Sequence, residues 1–307
     1  MNYDLLRQLC QVHAPSGNEM AMKEFLLSYV ERNKEDWKTV PKVVHGEDFQ
    51  DCLVLVFGEP HTAVFAHIDS IGFTVRYDNK LIPIGGPEAE TGFELVGEDS
   101  KGRIETKIVA DLQEGILCCD FHREIDRGTD LVFKCHFIET EDYVQSCYLD
   151  NRLGVFVALK LAETLENGAI VFSCYEEHGG GTVPFLVKYL WEQWKIKQSL
   201  IADITWVTDG VRLGEGVVIS MRDSRLPRKV FLKKVIKIAE EYRIRFQLEV
   251  ESSGGSDGRE IQASPYPIDW VFIGTAEENV HSPHEKVAKK DIEEMLKLYQ
   301  ILINRLY

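Results

Sequence analysis

The apolar run GAIVFSCY (168–175) ends in two adjacent acids, Glu176 and Glu177, followed by His178 and three glycines. Two like charges at the end of a core strand repel each other and resist burial, so the pair needs a chemical reason. A divalent cation supplies one: one carboxylate binds the ion and the other stays free to move protons. Other apolar runs end in residues of the same kind. TAVFAHID closes on His67 and Asp69, SLIADIT carries Asp203 near its end, and IDWVFIGT leads into AEENVHSPHE with His281. CYLDNRLG sets Asp150 just ahead of a helical pattern.

Taken singly, each has an ordinary explanation. A histidine at a strand end is more often a satisfied core or surface residue than a ligand. Asp150 alone reads as a helix N-cap, and His281 before Ser-Pro could simply close a loop. Their joint occurrence at strand ends changes the balance, because acids and imidazoles sharing one cleft need a cation to offset their charge. Carboxylate and imidazole donors without thiolate suit zinc, cobalt or manganese. Two histidines, a shared aspartate and two further acids suffice for two metals about 3.5–4 Å apart, the spacing of two-metal hydrolases. A carboxylate that stays off the metal can take a proton from water and pass it to a leaving amine.

Alternating helical and strand patterns must position these groups. YDLLRQLCQV and EMAMKEFLLSYVERN have helical spacing, with Ser16 and Asn18 between them as candidate caps. After Asp150, helices alternate with short apolar strands through KDIEEMLKLYQILINRL, the pattern of an α/β sheet covered on both faces. Between them lie β-rich pieces such as GFTVRYD, KLIPIGG, RIETKIVAD and GILCCDF. The expectation is a mixed, mostly parallel α/β catalytic domain of residues 1–70 plus 147–307, interrupted by a small β-rich domain at 71–146. In open α/β sheets ligands bind beyond the carboxyl ends of the strands, where the candidate residues fall.

The 307 residues are 44% hydrophobic and 28% charged, with a formal net charge of −15. Basic residues are scattered, which argues against a nucleic-acid partner. No run approaches the roughly 20 apolar residues of a membrane span, and no signal peptide is expected. Seven cysteines without a C-x-x-C pair fit reduced thiols in a cytoplasm. A serine or cysteine hydrolase finds little support, and Cys174 lies inside a strand that should be buried.

With these residues assembled, the chain resembles the tetrahedral, or glutamyl, aminopeptidases, which are co-catalytic metallopeptidases with a zinc-peptidase fold. AHIDSIGF, LDNRLG, YEEHG, ADIT, GGSDGREI and HSPHE occur in that family's order. The resemblance implies one metal on His67, Asp150 and Asp203 and another on Asp150, Glu177 and His281, with Asp150 bridging. It implies Glu176 as general base activating the water, and Asp69 as the group that orients His67. Asp257, in SSGGSDGREI, is implied near the substrate pocket; His178 reads either as a substrate-contacting group or, more plainly, as a turn histidine. Peptide substrates, trimmed from the N-terminus, and two divalent cations, zinc first, follow from the same likeness. A related carboxypeptidase, dipeptidase or amide deacylase, or a non-catalytic metal-binding homologue, would share the ligand logic. Ser70 stands where the family usually has Glu, and His178 where an apolar residue is usual. The insert is compact for the family, so a homodimer is expected over a dodecamer.

Overall fold

The computed structural model describes residues 1–111 and 115–306. Its large sheet has eleven strands. At the centre, Gly168–Ser173, Thr62–His67, Gln198–Trp206 and Asp269–Glu278 lie side by side and parallel. Leu53–Phe57 and Lys42–Val44 extend one edge antiparallel. Glu285–Ala288, Tyr143–Ser146 and Ile138–Glu139 extend the other. Val217–Arg222 also pairs with Asp269–Glu278 and carries Phe246–Val250 on its outer side.

The central runs are apolar at nearly every position, and every residue of LVLVF, TAVFAH and GAIVFS is buried. Burial at every position means that both faces are covered. Helices Leu149–Ala162 and Lys289–Arg305 pack on the sheet with Asp4–Cys10 against the first of them. Val183–Trp194 and Asp257–Ala263 pack together against it elsewhere. Leu153, Phe156, Leu298 and Leu302 are among the fully buried side chains that join helix to sheet.

A second, antiparallel sheet of six strands is built between Gly72 and Phe133. Its longest strand, Gly102–Asp111, alternates: Ile104, Thr106 and Ile108 point inward while their neighbours face solvent. That period of two marks a sheet with one covered face. Its core holds Phe73, Leu95, Leu131 and Phe133. By sheet membership this unit ends at Phe133, because 138–139 and 143–146 pair into the large sheet instead of staying with the insert.

Two local expectations fail. Neither Ser16 nor Asn18 caps Met20–Asn33, whose N-cap is Glu19. The Ser16 hydroxyl donates to Asp69 and the Asn18 amide to Asp130, so both polar groups are drawn into tertiary contacts. Asp150 makes no side-chain cap either, since its carboxylate faces two histidines.

Candidate active site

The carboxyl ends of the parallel strands converge. Ser173 lies opposite His67 in register, and Asp203 falls two residues beyond Ile201, which pairs with Phe65. His67 Nε2 is 3.1 Å from Asp150 Oδ1 and 3.7 Å from Asp203 Oδ2. On the other side of Asp150, His281 Nε2 is 3.4 Å from Oδ2 and 3.2 Å from Glu177 Oε2. Donor atoms of His67, Asp150 and Asp203 lie within 4.8 Å of one another, and so do those of Asp150, Glu177 and His281. Five residues expected as ligands thus form two clusters that share Asp150.

The strand bearing Asp203 has no room to shift. A Cβ at Gly154 would lie 2.1 Å from the Ala202 carbonyl oxygen, and one at Gly274 would lie 2.2 Å from that of Asp203. Asn151 adds a tie by donating from Nδ2 to the Ala202 carbonyl at 2.8 Å. The peptide bond between Asp150 and Asn151 is cis.

Asp69 is fully buried and organises the acid pair. Its Oδ1 accepts from the Glu176 amide at 3.1 Å, and its Oδ2 accepts from the Glu177 amide at 3.0 Å and from the Ser16 hydroxyl. Asp69 Oδ1 is also 3.3 Å from His67 Nδ1, although that ring nitrogen has no well-aligned hydrogen bond. Tyr175, just before the acid pair, is left-handed with φ 66°. Tyr148, before Asp150, and His281 itself share that conformation at φ 67° and 65°. Such backbone costs roughly 1 kcal/mol or more per residue and collects at functional sites.

Burial pushes the Glu176 carboxyl up to about 8, with help from Glu177, Asp257 and Asp69 against the opposing pull of His67. Burial would lower His281, but Asp150 and Glu177 outweigh it and raise the imidazole to about 12. Glu177 Oε1 is buried and has no hydrogen-bond partner. A cavity of about 260 Å³ opens beside the clusters, and Glu176, Glu177, Asp203 and His281 all line it.

Two expected pocket residues sit elsewhere. Asp257 begins a short helix behind the strand end, where its carboxylate accepts from Ser173, and it does not line the cavity. The same loop reaches the cavity through Ser253, Gly254 and Arg259 instead. His178 is exposed on the turn, and its Nδ1 accepts from the Gly85 amide at 3.0 Å, which ties it to the second sheet. Ser70 is buried and donates to the Ala14 carbonyl.

Other supporting residues carry no signal of their own in the sequence. Glu285 is fully buried and accepts from the main-chain amides of both Asp150 (3.2 Å) and His281 (3.0 Å). Arg152, also fully buried, donates to the carbonyls of Ile68 and Asp69. Gly86 offers its carbonyl 3.1 Å from His281 Nδ1, which leaves Nε2 for the carboxylates. HSPHE and LDNRLG contain the first two, but Glu285 reaches the Asp150 amide and Arg152 the Ile68 and Asp69 carbonyls far away in the chain.

The profile of the M42 glutamyl aminopeptidase family matches residues 120–298, more than half of the chain. A protein of Acetivibrio thermocellus that bears a provisional aminopeptidase name is 24% identical over 332 residues, 96% of each chain. An aminopeptidase from the archaeon Desulfurococcus kamchatkensis superposes with a TM-score of 0.85 at 23% identity, covering 98% of this chain and 93% of its own. The TET1 peptidase of Pyrococcus horikoshii, which can assemble into a tetrahedron or a large octahedral shell, superposes at 0.82 with 23% identity and 98% coverage of both. At these identities the superpositions speak for the fold, while the profile spans Asp150, Glu176, Glu177, Asp203 and His281. On that match the chain belongs to the M42 glutamyl aminopeptidase family and is a peptidase.

Proposed function

We propose that this peptidase removes N-terminal residues from peptides with the help of two divalent cations, zinc first and cobalt or manganese as alternatives. One observation carries the reading: two imidazoles and four carboxylates from distant segments gather at the strand ends, and all of them but His67 line one cavity. The residues fit cations. The unpartnered Glu177 Oε1 and the high proton affinity of His281 both mark places where positive charge is wanted. His67, Asp150 and Asp203 would hold one ion, and Asp150, Glu177 and His281 the other.

Bound there, such ions polarise a carbonyl and make water more acidic. Glu176 stays outside both clusters and lines the cavity, so its carboxylate takes the proton of the attacking water and returns it to the leaving amine. Asp69 sets the position of that carboxylate by holding the Glu176 and Glu177 amides. Gly86 and Glu285 hold His281 in place through its Nδ1 and its amide.

In the same reading the second sheet mediates self-association as a dimer. Ile82, Val109 and Ile116 are exposed apolar residues on its strands. All seven cysteines are free, which suits a reducing cytoplasm. Aminoacyl-nitroanilides should be cleaved in the presence of added zinc, cobalt or manganese, and N-blocked peptides should not. Glu176→Gln should lose about a hundredfold or more in kcat while binding the same metal. Preference for N-blocked substrates, or full activity in that variant, would overturn the reading.

A further inference from the structure

The cavity beside the two clusters is more acidic than metal binding requires. Its lining also holds Asp223, Glu249 and Glu251, none of which belongs to either cluster. Glu249 is 4% exposed and Asp223 8%. The Thr205 hydroxyl donates to Glu249 Oε1, and the Arg225 amide donates to Asp223 Oδ1 at 2.5 Å. These contacts orient the two carboxylates without neutralising them. Among the described residues, no lysine, arginine or histidine forms an ion pair with any of the three. Arg222 and Arg225 favour the Asp223 charge from a distance, and Arg222 Nε is committed to the main-chain carbonyls of Asp223 and Glu251. Arg259 is the one basic side chain in the cavity wall apart from His281, and its Nε is 3.1 Å from Glu260 Oε1.

Buried carboxylates without a countercharge are costly, and burial raises the proton affinity of both Glu249 and Asp223. An occupant that brings a cation relieves that cost. Phe272 and the half-exposed Trp206 line the same cavity and offer apolar surface for an aliphatic stem. We propose that this cavity receives the side chain of the substrate's N-terminal residue and selects lysine or arginine, with Glu249 and Asp223 as the residues that read its charge. The inference rests on the aminopeptidase reading. An acidic side chain would enter against three carboxylates, with Arg259 already paired.

Lysine, arginine, norleucine and glutamate nitroanilides, assayed with the metal-loaded full chain, test both levels separately. Norleucine keeps most of the lysine stem but lacks its charge. The expected order is lysine or arginine above norleucine by about tenfold in kcat/KM, with glutamate last. Hydrolysis of none of them would bring down the aminopeptidase reading itself. Hydrolysis with norleucine equal to lysine, or with glutamate preferred, would overturn only the selectivity. Glu249→Gln and Asp223→Asn should each lower the lysine-to-norleucine ratio several-fold. A parallel loss on both substrates would instead assign the residue to the α-amine or to folding, and would refute its role in reading the side chain. Calorimetric titration with free lysine and norleucine, which have no scissile bond, gives a readout free of turnover: lysine should bind about tenfold more tightly, and equal affinities would contradict the proposal.

Discussion

The two donor clusters share Asp150 but rest on different kinds of backbone. His67 and Asp203 belong to neighbouring parallel strands whose pairing sets their separation, and their side chains are 1% and 7% exposed. Gly154 and Gly274 pack directly against the strand that carries Asp203. Glu177 and His281 stand on loops instead. His281 is left-handed and 24% exposed at its side chain, and it is held by Gly86 and Glu285. A sheet fixes donors through its whole hydrogen-bond ladder, whereas a loop fixes them through a few contacts. The first cluster is therefore the rigid one, and the second is the one that can adjust.

The largest expected effect removes the element common to both. Asp150→Ala should empty both clusters and reduce activity well beyond the ~100-fold typical of losing an outer supporting contact. Elemental analysis beside a kinetic assay would reveal this, and two retained ions would break the comparison. A smaller, asymmetric effect should separate the clusters. After His281→Ala the remaining ion sits in the rigid cluster, and after His67→Ala in the adjustable one. Dialysis against graded chelator should remove the second about tenfold more readily. Equal affinities would show that backbone type does not decide retention.

The smallest expected effect is in pH. Glu176, raised from an ordinary 4.5 to about 8, and His281, raised from 6.5 to about 12, both hold more protons in the folded chain than in the unfolded one. Where the native state binds the extra protons, stability falls as pH rises. The metal-free protein should therefore lose stability from about pH 5 to 8 through Glu176, and from about 6.5 upward through His281. Asp69 and Asp150, whose carboxyls are lowered, titrate below that window. Cations that replace these protons should flatten the slope, by on the order of 5 °C in Tm between pH 6 and 8.5. Parallel melting curves with and without zinc would contradict that linkage.

Much of the framework was legible in the sequence. Fully apolar runs marked the central strands, and acids or histidines at their ends marked the edge where donors gather. The supports were not legible, because Glu285 and Arg152 hold backbone groups distant in the chain, and Gly86 meets the distant His281 ring through its own carbonyl. Glu249 alternates with other residues along a strand and reads there as solvent-facing, yet the fold turns it into a cavity. Glu94–Asp99 is hard to read as a strand because its acids and Gly97 look like a loop; that glycine lies close to the Asp130 carbonyl. The motif around Asp257 points to the pocket, but the helix it begins draws its carboxylate to Ser173.

Asp69 has one more consequence. The same carboxylate sits against the His67 ring and receives both amides of the Glu176–Glu177 turn. Thermal displacements of the imidazole and of the acidic turn are therefore coupled through one anchor: each can wander, but they wander together. The gap between them fluctuates less than either does alone, which steadies a proton's path without making its surroundings stiff.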